Sequence, residues 1–242
     1  MCDWIAPGLL EELYDYCYCD LVVGSFIIVN GGSKIERIIE NNEYNQSSID
    51  MYISDLALKI HFRTPWGILY KRSIIESNKI SFDENICSGE DTLFLLNYLL
   101  YVKTLRTVDK PYYYYCEENV NSLSKNNNQF ESYFYAMEVF YKTFLMYEKT
   151  FSNSDVKILY LVNAASYIGK QINYLYCNST YRLSYKLAEI NQMKKNPYIR
   201  IVLEDRTLMK KRRKKRIFDF LALKGNSLLL LIYIYICRGC IY

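Results

Sequence analysis

One stretch limits the fold more than any other: Asp20 to Val29, "DLVVGSFIIV". It is apolar, rich in β-branched residues and ten residues long. Branched side chains crowd a helix and pack well on a pleated surface, so the run predicts a buried strand. "PGLLEELYDYCY" before it, residues 7–18, predicts a helix. Pro7 stands in the first turn, where its missing N–H would have no partner anyway. Gly31-Gly32-Ser33 after the strand predicts a turn.

The rest of the chain falls into two halves. From Lys34 to Ser48 it is polar and rich in asparagine, as in a loop excursion. Ile49 to Ile60 predicts a short helix, Trp66 to Tyr70 an extended segment and Ser73 to Glu76 a helical turn. Leu105 to Val108 and Pro111 to Cys116 predict two short strands, the second because aromatic residues favour pleated surfaces. Residues 121–129 form a polar break. Beyond it Phe130–Tyr147, Asp155–Tyr176 and Thr180–Asn191 are helix-like, and Asn196-Pro197 interrupts the pattern. Phe134, Met137, Phe140, Tyr141 and Phe144 make one apolar stripe, the mark of a core face. Only 4 prolines and 9 glycines break the 242 residues, which agrees with a compact, helix-rich chain. The expected organisation is a mixed α/β portion at 1–124, a helical region at 125–206 and a basic and apolar tail at 207–242. No repeat of 20–50 residues is visible.

The net charge of +4 hides a cluster. Lys210 to Arg216 are seven consecutive cations, and setting them aside takes the remainder from +4 to about −3. The body is therefore not a basic nucleic-acid binder, and no aromatic platform or recognition motif accompanies the cations. An apolar run from Ser227 follows them. It is about ten residues long, where a membrane span needs about 20. A core helix and a solvated charge run would explain this tail. So would binding to an anionic membrane surface through residues 210–237. Eight cysteines are irregularly spaced, with no signal peptide before them, which predicts reduced cytosolic thiols. Cys237-x-x-Cys240 and the Cys17/Cys19 pair lack the further ligands zinc requires, and His61 is the only histidine. No metal site is expected from these residues.

Chemistry concentrates in "ISFDENICSGEDTLFLLNYLLY", residues 80–101. Glu90 and Asp91 stand together after Gly89. Leu93, Phe94, Leu96, Leu99 and Leu100 then recur at helical spacing. A helix start explains the acids without chemistry. Ser88 would cap it, Ser88-Gly-Glu-Asp91 matches a capping box, and negative charge in a first turn is worth about 0.3–1 kcal/mol.

Four segments in order carry a second explanation. Asp3-Trp4-Ile5-Ala6-Pro7 precedes "LLEELY" and "DLVVGSF". Trp66-Gly-Ile-Leu-Tyr-Lys-Arg72 follows, then "ISFDENICSGEDTLF", then "PYYYYCEENVNSLS". Over residues 3–124 the chain resembles the family 2 glycosyltransferases of GT-A fold, which build polysaccharides and other surface glycans. The resemblance implies an incomplete GT-A-like (Rossmann-like) mixed sheet with flanking helices, followed by the helical C-terminal region. It implies inverting transfer of a sugar from a nucleotide-sugar donor to a glycan or lipid-linked acceptor, in surface polysaccharide synthesis. Asp91 takes the place of the general base, and Glu90 and Trp66 fall on the acceptor side.

The resemblance also implies a divalent metal, Mg or Mn, and the ligands for it are largely missing. Asp3 matches the aspartate just after the family's Asp-x-Asp and is the remaining candidate for cofactor binding. Cys2 falls where the second aspartate of that motif belongs, and Gly67-Ile68 replaces Asn-Lys. The expectation is a transferase truncated or degenerate at its donor site, cytoplasmic or peripheral at the inner face of the membrane. The alternative is a non-catalytic remnant that binds a glycan or a protein.

Overall fold

The computed structural model describes residues 3–49, 51–52, 64–86, 89–116, 130–150, 179–205 and 226–236, with scattered positions from 161 to 177. The chain divides into two units. One is Met1–Asn126 with Leu145–Asp155, and the other is Asn127–Phe144 with Val156–Tyr242.

The first unit is built on a six-stranded mixed sheet. β1 (Trp4–Ile5), α1 (Leu9–Tyr14), β2 (Leu21–Asn30), β3 (Ser33–Arg37), β4 (Asn42–Asn45) and β5 (Ile68–Tyr70) come first. α2 (Arg72–Ser77), α3 (Glu90–Leu99) and β6 (Thr104–Cys116) follow. β2 and β6 run parallel at the centre. β5 and β3 pair antiparallel with the first and second halves of β2. β4 and β1 do the same for the two halves of β6. Residues 21–29 are all buried, as the opening stretch of β-branched residues predicts.

Three expectations need correction. The polar segment after Gly32 is not a loop: it forms β3 and β4, whose backbones gain partners in the sheet although most of their side chains are exposed. Composition hides such strands, because exposed polar side chains carry little signal of the backbone pairing that the sheet supplies. Second, the two strands expected near Leu105 and Pro111 are one. Val108 lies opposite Gly24 and Pro111 opposite Ser25, so Asp109 and Lys110 bulge out. Proline has no N–H for the ladder, and a bulge accommodates it. The buried Ser25 hydroxyl closes the gap by donating to the Val108 carbonyl at 3.0 Å and accepting from the Ile39 amide at 2.9 Å. Third, the first helix is shorter than its pattern, and residues 15–18 form turns after Tyr14.

α1 packs through Leu9 and Leu13 against Val22 and Val108, with Tyr16, Leu69 and Tyr112 around them. α3 is buried almost all round, through Leu93, Phe94, Leu95, Leu96, Tyr98 and Leu99. Fully burying each such side chain is worth about 1.5–3 kcal/mol, so α3 is fixed firmly enough to aim a side chain from its first turn.

α4 (Phe130–Thr150) belongs to the second unit up to Phe144, and there it buries Met137, Phe140 and Phe144 of the expected stripe. The described positions from 161 to 177 are helical. α5 (Leu183–Lys195), α6 (Pro197–Glu204) and α7 (Ser227–Ile236) complete it. Asn196-Pro197 separates α5 from α6 and also starts α6. The Asn196 side chain accepts from the amides of Tyr198 and Ile199, and Pro197 takes the first helical position. His61, Cys2, Cys87, Ser88, Cys237, Cys240 and the cationic run 210–216 lie outside the described residues. Cys17, Cys19, Cys116 and Cys177 are not in disulfides. Among the described residues no helix is long and apolar enough to cross a membrane.

Candidate active site

The head of α3 is held by Gly89, whose φ of 92° is left-handed and favours glycine. Gly89 occupies the N-cap position and no side chain caps the helix. The cap expected at Ser88 is thus one residue away, on a residue with no side chain to offer. Glu90 and Asp91 fill the first turn, where the exposed amide ends favour negative charge. Burial, and then repulsion from Glu90, nevertheless push the Asp91 carboxyl up to about 6. One Glu90 carboxyl oxygen, Oε2, is buried without a hydrogen-bond partner among the described residues.

Such an acid is matched to proton transfer. At neutral pH it is mostly ionised, yet about two units more basic than an ordinary aspartate. A hydroxyl within hydrogen-bond reach of it can lose its proton as it attacks an electrophilic carbon.

Aromatic rings build the wall beside it. Phe82 stacks on Phe94 with centroids 4.3 Å apart. Tyr70, at the end of β5, meets Phe94 and Tyr98 edge-on at 5.5 and 5.0 Å. Sequence reasoning missed Tyr70, although it lies inside the segment that carries Trp66. Its only signal was its position at the end of an extended run facing an amphipathic helix.

Trp66 occupies a different setting. Its indole stacks on Tyr113 and Tyr115 of β6, at 4.5 and 5.1 Å, and meets Phe26 edge-on at 4.6 Å. Tyr113 and Tyr115 alternate onto one face of the strand, so one indole covers both. The neighbouring Gly67 carbonyl accepts from the Gly24 amide at 2.9 Å. A Cβ on Gly24 would come within 3.0 Å of that carbonyl, so the close approach of β5 to β2 requires glycine there. Trp66 is thus a packed, half-buried aromatic at the other end of the β5 segment from Tyr70.

Asp3 is joined to Trp66 through Tyr113. Its Oδ2 accepts from the Tyr113 hydroxyl at 2.9 Å, and its Oδ1 accepts from the Cys116 amide at 2.9 Å. Both oxygens are engaged in tying the start of the chain to the end of β6. The described residues do not fit a divalent cation. Among them no group of three or more His, Cys, Asp and Glu converges, and the Asp3 carboxylate is already committed. The structure therefore brings Asp91, Glu90 and Tyr70 together at the head of α3, and groups Trp66 with Asp3 around Tyr113.

Asp20, which the sequence did not single out, is the best-satisfied acid nearby. Lys71 Nζ stands 3.0 Å from its Oδ1, and the amides of Lys103 and Thr104 donate to its Oδ2 at 2.9 and 3.3 Å. Its backbone carbonyl accepts from the Tyr98 hydroxyl at 2.6 Å. Burial works against its charge, but the Lys103 amide and Lys71 outweigh it and hold its carboxyl below the ordinary aspartate range.

With that geometry in hand, likeness to known proteins is informative. Over 147 residues the chain is 26% identical to the poly(ribitol-phosphate) β-N-acetylglucosaminyltransferase TarP of Staphylococcus aureus strain N315, a match covering 58% of this chain and 43% of TarP. It superposes on the crystal structure of S. aureus TarS 1-349 in complex with UDP-GlcNAc with a TM-score of 0.59 and 16% identity. That superposition covers 96% of this chain and 65% of TarS 1-349. TarS 1-349 solved without that ligand gives a TM-score of 0.52, also at 16% identity, over 96% of this chain and 64% of that one. The chain thus spans less than two thirds of the length of these proteins. No family model matches the chain. The fold is a mixed α/β sheet with helices like that of the TarS GT-A domain.

Proposed function

We propose that the chain carries the acceptor side of an inverting glycosyltransferase of the surface-glycan type, with Asp91 as general base. One observation carries the proposal: a half-buried aspartate on a rigid helix head, pushed up to about 6 beside Glu90. A sugar or polyol hydroxyl is a weak nucleophile at neutral pH. Asp91 takes its proton as the hydroxyl attacks the anomeric carbon, and the nucleoside diphosphate leaves with the bonding electrons. Glu90, adjacent to the base in the first turn of α3, is the acceptor-orienting group of this reading. Trp66 and the tyrosines of β6 line the acceptor path. By analogy with TarP, named for transfer to poly(ribitol-phosphate), the acceptor is a hydroxyl-rich polymer or its lipid-linked form. By analogy with TarS, crystallised with UDP-GlcNAc, the donor is a nucleotide-sugar.

The donor side is the weak point of this chain, because the Asp3 oxygens are engaged within the fold. Isothermal titration with UDP-GlcNAc and Mn should show only weak binding, and tight binding would overturn the acceptor-side assignment. Joined to a donor-binding half, the chain should transfer sugar, and Asp91→Asn should cut the rate by about 10²–10⁴-fold. Transfer that survives the substitution removes Asp91 from the role.

The second reading, a non-catalytic glycan- or protein-binding module, draws on the same committed Asp3 carboxylate. It gains ground if glycans are retained without turnover. A cytoplasmic location with peripheral contact to the inner membrane face through 210–237 belongs to the proposal and rests on the cationic run alone.

A further inference from the structure

Tyr70 lies along one face of α3. Asp91, Phe94 and Tyr98 are spaced so that they share that face, and the Tyr70 ring touches the last two. Its hydroxyl is buried and has no hydrogen-bond partner among the described residues. The same holds for the hydroxyl of Tyr52, a fully buried residue packed edge-on against Tyr44 at 5.5 Å. Tyr70 is within electrostatic reach of Asp91, Tyr52 and Tyr98. A buried hydroxyl left bare costs about 1–3 kcal/mol, and phenylalanine would fill either place equally well. Tyr70, with a buried hydroxyl that has no partner among the described residues, is within reach of the perturbed carboxylate and of a second such phenol, and the two hydroxyls call for a common explanation.

We infer that Tyr70 is a positioning residue for Asp91: its hydroxyl, backed by Tyr52, holds the ionised carboxylate through a bridging water and sets the direction the base faces. A water between the two phenols and a carboxylate has the two to four partners that a buried water requires. Such a bridge is nearly as favourable in enthalpy as a direct bond. Burial pushes both phenols far above their ordinary range, so they stay protonated and donate toward the carboxylate. The charged and titratable neighbours are few. Glu90 faces Asp91 from its own helix and Tyr70 from β5, while Tyr52 and Tyr98 face Tyr70. The inference deepens the proposed function and depends on it only for the use to which Asp91 is put.

The test is a carbon-13 NMR titration of the Asp91 carboxyl, assigned by its loss in Asp91→Asn, in the wild-type chain, Tyr70→Phe and Tyr52→Phe. Burial and Glu90 by themselves push the carboxyl up to about 6, so the bridge should hold the wild-type midpoint below that. Tyr70→Phe should raise it by about one unit, a tenfold change in the protonation constant, and Tyr52→Phe by less. A midpoint that stays put in Tyr70→Phe overturns the inference. Urea unfolding supplies a second measurement. The stability lost in Tyr70→Phe should be larger at about pH 8, where Asp91 is ionised, than at about pH 4. Equal losses would show that Tyr70 only packs, and would also overturn it. Neither readout depends on sugar transfer. If Asp91→Asn leaves transfer intact while the midpoint shift is seen, the base assignment fails and the positioning role stands.

Discussion

Asp20 and Asp91 sit at opposite ends of the α3 contact with the sheet, and the protein treats them in opposite ways. Asp20 is anchored by a lysine and two amides, and its carboxyl is held low. Its donors come from β6's entry and from the residue after β5, so it pins three chain segments at one point. Asp91 has burial and a like charge beside it, and its carboxyl is pushed up. A satisfied acid holds a fold together. An acid kept under-satisfied on a rigid helix lowers stability, and such a cost persists where the group has a task. The contrast distinguishes the two acids more sharply than the motif does, because both lie in motif-like surroundings, and it is the basis on which the proposal gives Asp91 a chemical role.

The largest expected effect lies at Asp91. The 10²–10⁴-fold loss of transfer in Asp91→Asn should come without loss of stability. A raised acid binds its proton more tightly in the folded state. Ionising Asp91 therefore costs stability as pH rises from about 4, its unfolded value, through about 6. Asp91→Asn should remove that decline, giving a urea midpoint above wild type at neutral pH. A lower midpoint would make Asp91 a structural acid like Asp20 and collapse the comparison.

Next comes Asp20→Ala, which strands two amides and a lysine and should cost about 2–3 kcal/mol in urea unfolding at neutral pH. The sign is the reverse of that for Asp91. A lowered acid stabilises the fold above about 4 and loses that contribution as pH falls through its folded value. The smallest effect belongs to Lys71→Met. The lysine side chain is 46% exposed, so the pair is worth about 0.2–1 kcal/mol, and the two amides keep the carboxylate in place. A loss from Lys71→Met as large as that from Asp20→Ala would assign the anchoring to the ion pair and not to the amides.

The amino-acid sequence by itself determined the buried strand at 21–29, the helix after Gly89 with its paired acids, and the helical second half. These follow from short-range patterns: branching, spacing and turn residues act within a few positions of one another. It also placed Asp91, Glu90, Trp66 and Asp3 as candidates, through motifs that are local runs. Tertiary structure alone decided what surrounds each of them. The partners of Asp20 lie 51 to 84 residues away, and those of Asp3 lie 110 and 113 residues away. β3 and β4 exist because the sheet offers their backbones partners, not because their side chains favour it. Whether a carboxylate is quenched by donors or left basic depends on which groups the fold brings beside it. Coulombic and desolvation energies act through space, and distance along the chain does not enter them.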